Sequence, residues 1–161
     1  MWRAIDVATT WAMRLSAGAA VLMTALVTTE VVARNLFRTS TLVADEMSSY
    51  LLVILMFFGL AESFRSDTFI RVELLDKFVS STVRRGLDVA ILLVAVGYAS
   101  VLTYEFWRFA ALAYRLGTRS VYFFETRLWI PRVLMAVGMS LLATQLLAAL
   151  AKRIRLPKEG T

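Results

Sequence analysis

Glu30 and Arg34 stand four residues apart at the end of one long apolar run, and Asp45 with Glu46 opens the next. An ionisable side chain in such a run is expensive to hold in a bilayer, so each is a candidate for function. On a helix, a spacing of four puts Glu30 and Arg34 on one face, where they can pair. Asp45 and Glu46 enter the following run at the same level. Glu30, Arg34 and Glu46 are therefore expected to form a cluster that ties two helices together. The alternative is that Glu30 or Glu46 carries protons or cations, making the chain a self-contained proton-coupled exporter. A coupling acid belongs near the membrane centre, whereas these acids lie at run ends and the run centres carry no charge. Glu62, Arg65, Glu105 and Arg108 also lie at run ends and read as interfacial anchors.

Other chemistries lack their residues. The 161-residue chain has no His and no Cys, so a thiolate nucleophile, a disulfide, an imidazole base and the usual metal ligands are all excluded. Haem ligation would fall to Met23, Met56, Met135 or Met139, which read as gap-filling core. Neither a Ser-His pair nor paired mid-membrane aspartates support an intramembrane hydrolase. The chain reads as non-enzymatic, with no cofactor and no metal.

The elements that must position these charges are membrane-length helices. Hydrophobic residues make up 59% of the chain and charged residues 19%, which does not suit a soluble domain of this size. A spanning helix needs about 20 mostly apolar residues. Four runs qualify, at about 15–33, 42–64, 87–107 and 131–151, giving an all-α integral membrane protein in one domain. A cleaved leader is the alternative for the first run, but it continues through Glu30 to Arg34 without a clear small-residue cleavage site. The net charge of +6 comes largely from cations flanking the runs, where they meet phospholipid headgroups; nucleic acid is not an expected partner. Lys and Arg number two in the N-terminal tail, five between runs two and three, and four in the C-terminal tail, against seven in the other two connections. This places both termini in the cytoplasm.

The connections add detail. Val72, Leu75, Val79 and Val83 recur at helical spacing, which predicts a short amphipathic interfacial helix over about 68–84; a solvated linker helix is the alternative. No break follows run three until Gly117, so its helix from Leu87 to Leu116 would measure roughly 45 Å and must tilt or project. Tyr122, Phe123 and Phe124 between Arg119 and Arg127 fit a membrane-interface belt with Trp107 and Trp129, and Pro131 is tolerated near a helix start. Small-residue spacings, Ala95 to Ala99 and Ala136 to Ser140, are compatible with close helix packing.

The order of these features resembles the small membrane (Q-type, DctQ-like) subunit of tripartite ATP-independent periplasmic (TRAP) transporters. The resemblance rests on Arg34-Asn35-Leu36-Phe37, Asp45-Glu46-Met47-Ser48-Ser49-Tyr50, Phe58-Gly59-Leu60-Ala61 with Arg65, Ile70-Arg71-Val72-Glu73-Leu74-Leu75, and Leu128-Trp129-Ile130-Pro131 with Gly138. The chain departs from the family pattern at Phe69, often His, and at Val137, often Pro. The resemblance implies a bracing subunit in a bacterial inner membrane. It would work with a large M-type membrane subunit that moves sodium and an organic acid, and with a periplasmic P-type binding protein. It also implies that Arg34 and Glu46 act in interhelical and interface contacts.

Overall fold

The computed structural model describes residues 2–38, 43–65, 81–122 and 125–155. Four helices fill almost all of these: α1 Trp2–Phe37, α2 Val43–Arg65, α3 Ser81–Leu116 and α4 Trp129–Arg155. Each contains a stretch long and apolar enough to cross a membrane. Among the described residues there is no strand, only an isolated bridge between Arg119 and Arg127.

Two helices exceed the expected spans. α1 begins thirteen residues before Leu15, and α3 runs the full way to Leu116, at 36 residues each. The expected interfacial helix falls at residues 68–80 outside the described residues, while 81–84 form the start of α3. Phe123 and Phe124 of the aromatic group also lie outside them.

Local sequence accounts for the boundaries. α2 opens with Asp45 and Glu46 in its first turn, where carboxylates face the positive end of the helix dipole. α3 stops at Gly117, whose φ of 60° suits glycine. There the Gly117 amide donates to the Tyr114 carbonyl at 3.3 Å, and the Thr118 amide donates to that of Ala113 at 3.2 Å. These two bonds are the paired closure of a Schellman cap. Pro131, the third residue of α4, occupies a turn whose amides have no intrahelical acceptor, so its missing N–H costs little.

The helices pack as α1 on α2, α2 on α4 and α4 on α3, with a lighter contact between α1 and α4. α4 is the hub: 44% of its spanning stretch is buried, against 6–11% in the other three. Its central contact is very close. A Cβ built on Gly138 would stand 2.7 Å from the Phe57 Cβ and 2.9 Å from the Phe57 carbonyl carbon, so only glycine lets α2 and α4 approach this closely. Small residues serve this purpose where lipid removes the hydrophobic drive between helices. Around that point, Ala99, Met139, Ala143 and Leu146 form the core, with Phe57 and Phe106 packed against it edge to face at 5.3 Å. The large hydrophobics left exposed, such as Val21, Val94 and Val101, face outward. In a bilayer that is their favourable environment.

Candidate functional site

The polar groups collect at the two ends of the bundle. At the end formed by the last turn of α1 and the first of α2, Arg34 donates to a Glu30 carboxylate oxygen at 3.3 Å. The pair is unequal: the Glu30 side chain is 7% exposed and that of Arg34 58%. Glu30 lines a mostly apolar groove between α1 and α2, with Leu26, Thr29, Ala33, Val43 and Ala44. Its carboxylate is thus drawn into the helix pair while the guanidinium reaches outward.

Glu46 is 1% exposed and among the largest fully buried side chains. The Tyr50 hydroxyl donates to its Oε1 at 2.8 Å, one helical turn away. The Ser120 and Thr126 hydroxyls, in the segment joining α3 to α4, lie near the Tyr50 hydroxyl. That segment is a compact turn. The Ser120 amide donates to the Thr126 carbonyl at 2.9 Å, Arg119 pairs with Glu125 at 3.2 Å, and the Ser120 hydroxyl accepts from the Tyr122 amide at 3.2 Å. Glu46 and Tyr50 therefore link α2 to the α3–α4 connection. Of the three residues expected as one cluster, the structure joins Glu30 to Arg34 and sets Glu46 beside Tyr50.

The remaining candidates are dispersed. Asp45 is exposed, and its carbonyl accepts from Ser49 Oγ at 2.8 Å. Arg65 closes α2. Arg108 is exposed, paired with Glu105 at 3.0 and 3.2 Å and lying 5.7 Å from the Tyr104 ring. Trp129 opens α4 and meets Tyr114 edge to face at 5.8 Å. Pro131 is buried beside Arg132, whose guanidinium lies 3.7 Å over the Phe109 ring.

The opposite end holds a link that sequence reasoning missed. Gln145 Nε2 donates to Thr9 Oγ1 at 2.6 Å, joining α4 to α1, with Thr9 fully buried and Gln145 7% exposed. Gln145 was visible as the lone side-chain amide in the uncharged run from Val133 to Ala151. Thr9 was not, because it precedes the expected first span. Nearer the middle, Ser16 Oγ donates to the Leu55 carbonyl at 2.8 Å and Trp107 Nε1 to Ser140 Oγ at 3.2 Å.

Among the described residues no buried side-chain nitrogen or oxygen lacks a hydrogen-bond partner, and no three of Asp, Glu, His or Cys gather as a metal site. The bonds of Ser16, Trp107 and Gln145 join different helices, while Glu30 with Arg34 and Glu46 with Tyr50 pair within one.

A search among curated proteins finds no match. The profile of the family described as tripartite ATP-independent periplasmic transporters, DctQ component, matches residues 23–156. That match runs from the middle of α1 to the end of α4 and includes Glu30, Arg34, Glu46 and Gln145, while Thr9, the partner of Gln145, precedes it. The chain is a multi-pass membrane protein, and it belongs to the DctQ component family of tripartite ATP-independent periplasmic transporters.

Proposed function

We propose that this chain is the small bracing subunit of a sodium-coupled secondary transporter that imports an organic acid across a bacterial inner membrane. It works with a large membrane subunit and, transiently, with a periplasmic binding protein. The family match over residues 23–156 carries the reading. The distribution of polar groups supports it: the centres of all four spans lack charge, and the buried Gln145–Thr9 bond joins α4 to α1. Such a chain offers no polar path for a solute, while its close-packed α2–α4 seam suits a stationary support. Both termini lie in the cytoplasm in this proposal, and phospholipid covers the surface that the large subunit leaves free. Glu30 sits at a helix end beside Arg34, which does not favour its use as a mid-membrane coupling acid.

Arg34 and Glu46 have different parts here. Arg34, held by Glu30 and mostly exposed, contacts the large subunit; Glu46 fixes the α2 start against the α3–α4 connection. Arg34→Ala is expected to reduce recovery of the large subunit in affinity purification more than it lowers the chain's own thermal unfolding, which falls only as far as the loss of the Glu30 counter-ion requires. Glu46→Ala is expected to lower both. Recovery at the wild-type level with both variants would remove the bracing role from these residues.

A further inference from the structure

The uncharged stretches of the four helices are staggered in one direction across the bundle. Interhelical contacts fix which residues are level. Ser16 bonds the Leu55 carbonyl across antiparallel helices. Ser16 Oγ also stands 3.0 Å from a Cβ built on Gly59, so Ser16 lies between Leu55 and Gly59, and Leu22, the middle of the Leu15–Thr29 stretch, is level with Leu51, about 4 Å short of Ile54, the middle of Met47–Ala61. Phe57 packs on Gly138 across parallel helices. Ile54 is thus level with Met135, about 10 Å short of Leu142, the middle of Val133–Ala151. Trp107 bonds Ser140, again antiparallel. The middle of Val89–Tyr104, at Val96 and Gly97, is thus level with Leu150, about 12 Å beyond Leu142. Every step has the same sign, and the displacement from α1 to α3 reaches about 26 Å.

A membrane perpendicular to the bundle would leave exposed charges near its midplane. Arg14 lies two residues from Ser16, level with Gly59 in the uncharged stretch of α2. Glu105 and Arg108, 53% and 63% exposed, flank Phe106, which packs on Phe57 near the middle of the same helix. Exposed charges at that depth are costly. A tilted membrane plane moves Arg14 towards one surface and Arg108 towards the other. Over three interaxial steps of about 8–10 Å the tilt needed is roughly 45°, just above the range for spanning helices, and less where arginines snorkel. The same plane explains why α1 and α3 are the long helices: α1 overhangs with its N-terminal part and α3 with its C-terminal part.

Both crossing points carry the side chains of a headgroup belt. The Arg14 guanidinium lies 5.1 Å from the exposed Trp11 ring, beside a notch lined by Val7 and Thr10. Arg108 lies 5.7 Å from the exposed Tyr104 ring, next to the exposed Trp107. We propose that the bundle sits obliquely in the bilayer, with Trp11–Arg14 and Tyr104–Arg108 engaging phospholipid headgroups of opposite leaflets. This seating goes beyond the transporter reading and does not depend on it.

Depth-dependent quenching tests it. The chain has no cysteine, so Val94→Cys and Phe109→Cys each carry one fluorophore in the full chain, reconstituted in phosphatidylcholine and phosphatidylglycerol vesicles. Nitroxides are attached either at the acyl-chain end or near the headgroup. The oblique seating predicts that Val94 is quenched roughly threefold better by the acyl-end nitroxide and Phe109 by the headgroup one. In the double variant R14Q/R108Q the Val94 preference is expected to fall. The reverse preferences, as in an upright bundle, would overturn the proposal. So would a Phe109 label that neither nitroxide reaches, which would mean that protein covers that face, and so would unchanged depths in the double variant. Failure here leaves recovery of the large subunit unaffected, so the two readings fail separately.

Discussion

α3 and α4 are both apolar and uncharged through their centres, yet α4 is the most enclosed helix and α3 the least. The difference lies in which residues interrupt the apolar run. α4 carries Ala136, Gly138, Ser140, Ala143 and Gln145, which are small or can bond a neighbour; all but the partly buried Ser140 are buried. α3 carries Ile91, Val94, Tyr98 and Val101, which are exposed. In a bilayer, apolarity marks what lipid tolerates; small residues such as Gly97 and Ser100 of α3 can also face outward, but those of α4 are where other helices touch it.

Substitutions in matched positions of the two helices sharpen that contrast. The largest effect is expected at Gly138. Gly138→Ala drives a methyl against the Phe57 backbone, which cannot rotate aside, and should cost about 1–3 kcal/mol or separate α2 from α4. Gly97→Ala on α3 meets nothing within 4 Å and should unfold like the wild type. Thermal unfolding in detergent compares the two directly, and equal midpoints would break the contrast.

Next comes the buried bond between Gln145 and Thr9. Gln145→Leu leaves the Thr9 hydroxyl unsatisfied and should cost about 1–3 kcal/mol, whereas pairing it with Thr9→Val should recover much of the loss. A double-mutant cycle of unfolding free energies measures this; independent losses at the two sites would mean the bond is not what joins α1 to α4 there. The smallest effect is expected on the α3 surface, where Arg108→Ala breaks an exposed pair with Glu105 and should change stability by about 0–1 kcal/mol. A loss as large as that at Gly138 would contradict the account of α3 as a lipid-facing helix.

The four spans were legible because hydrophobic length is a strong signal, and Glu30 with Arg34 because an i,i+4 spacing fixes a common face. The extent of α1 was not legible: Trp2 to Arg14 includes Arg3, Asp6 and Arg14, which lower its hydropathy although the helix continues through them. Nor was the Glu46 partner. Tyr50 was visible as part of a motif, but Ser120 and Thr126 reach it through a turn whose path depends on the cap at Gly117 and on Glu125 at φ 45°. The parallel contact of α2 with α4 was likewise hidden, since the partner of Gly138 lies some eighty residues earlier in the chain.

The central claim, that this chain supports a transporter rather than transporting, is tested most directly by reconstitution. Vesicles holding the large membrane subunit, with binding protein, an organic acid and a sodium gradient outside, should take up solute only when this chain is also present, and vesicles holding this chain alone should take up none. Uptake by the chain alone, or full uptake without it, would contradict the account.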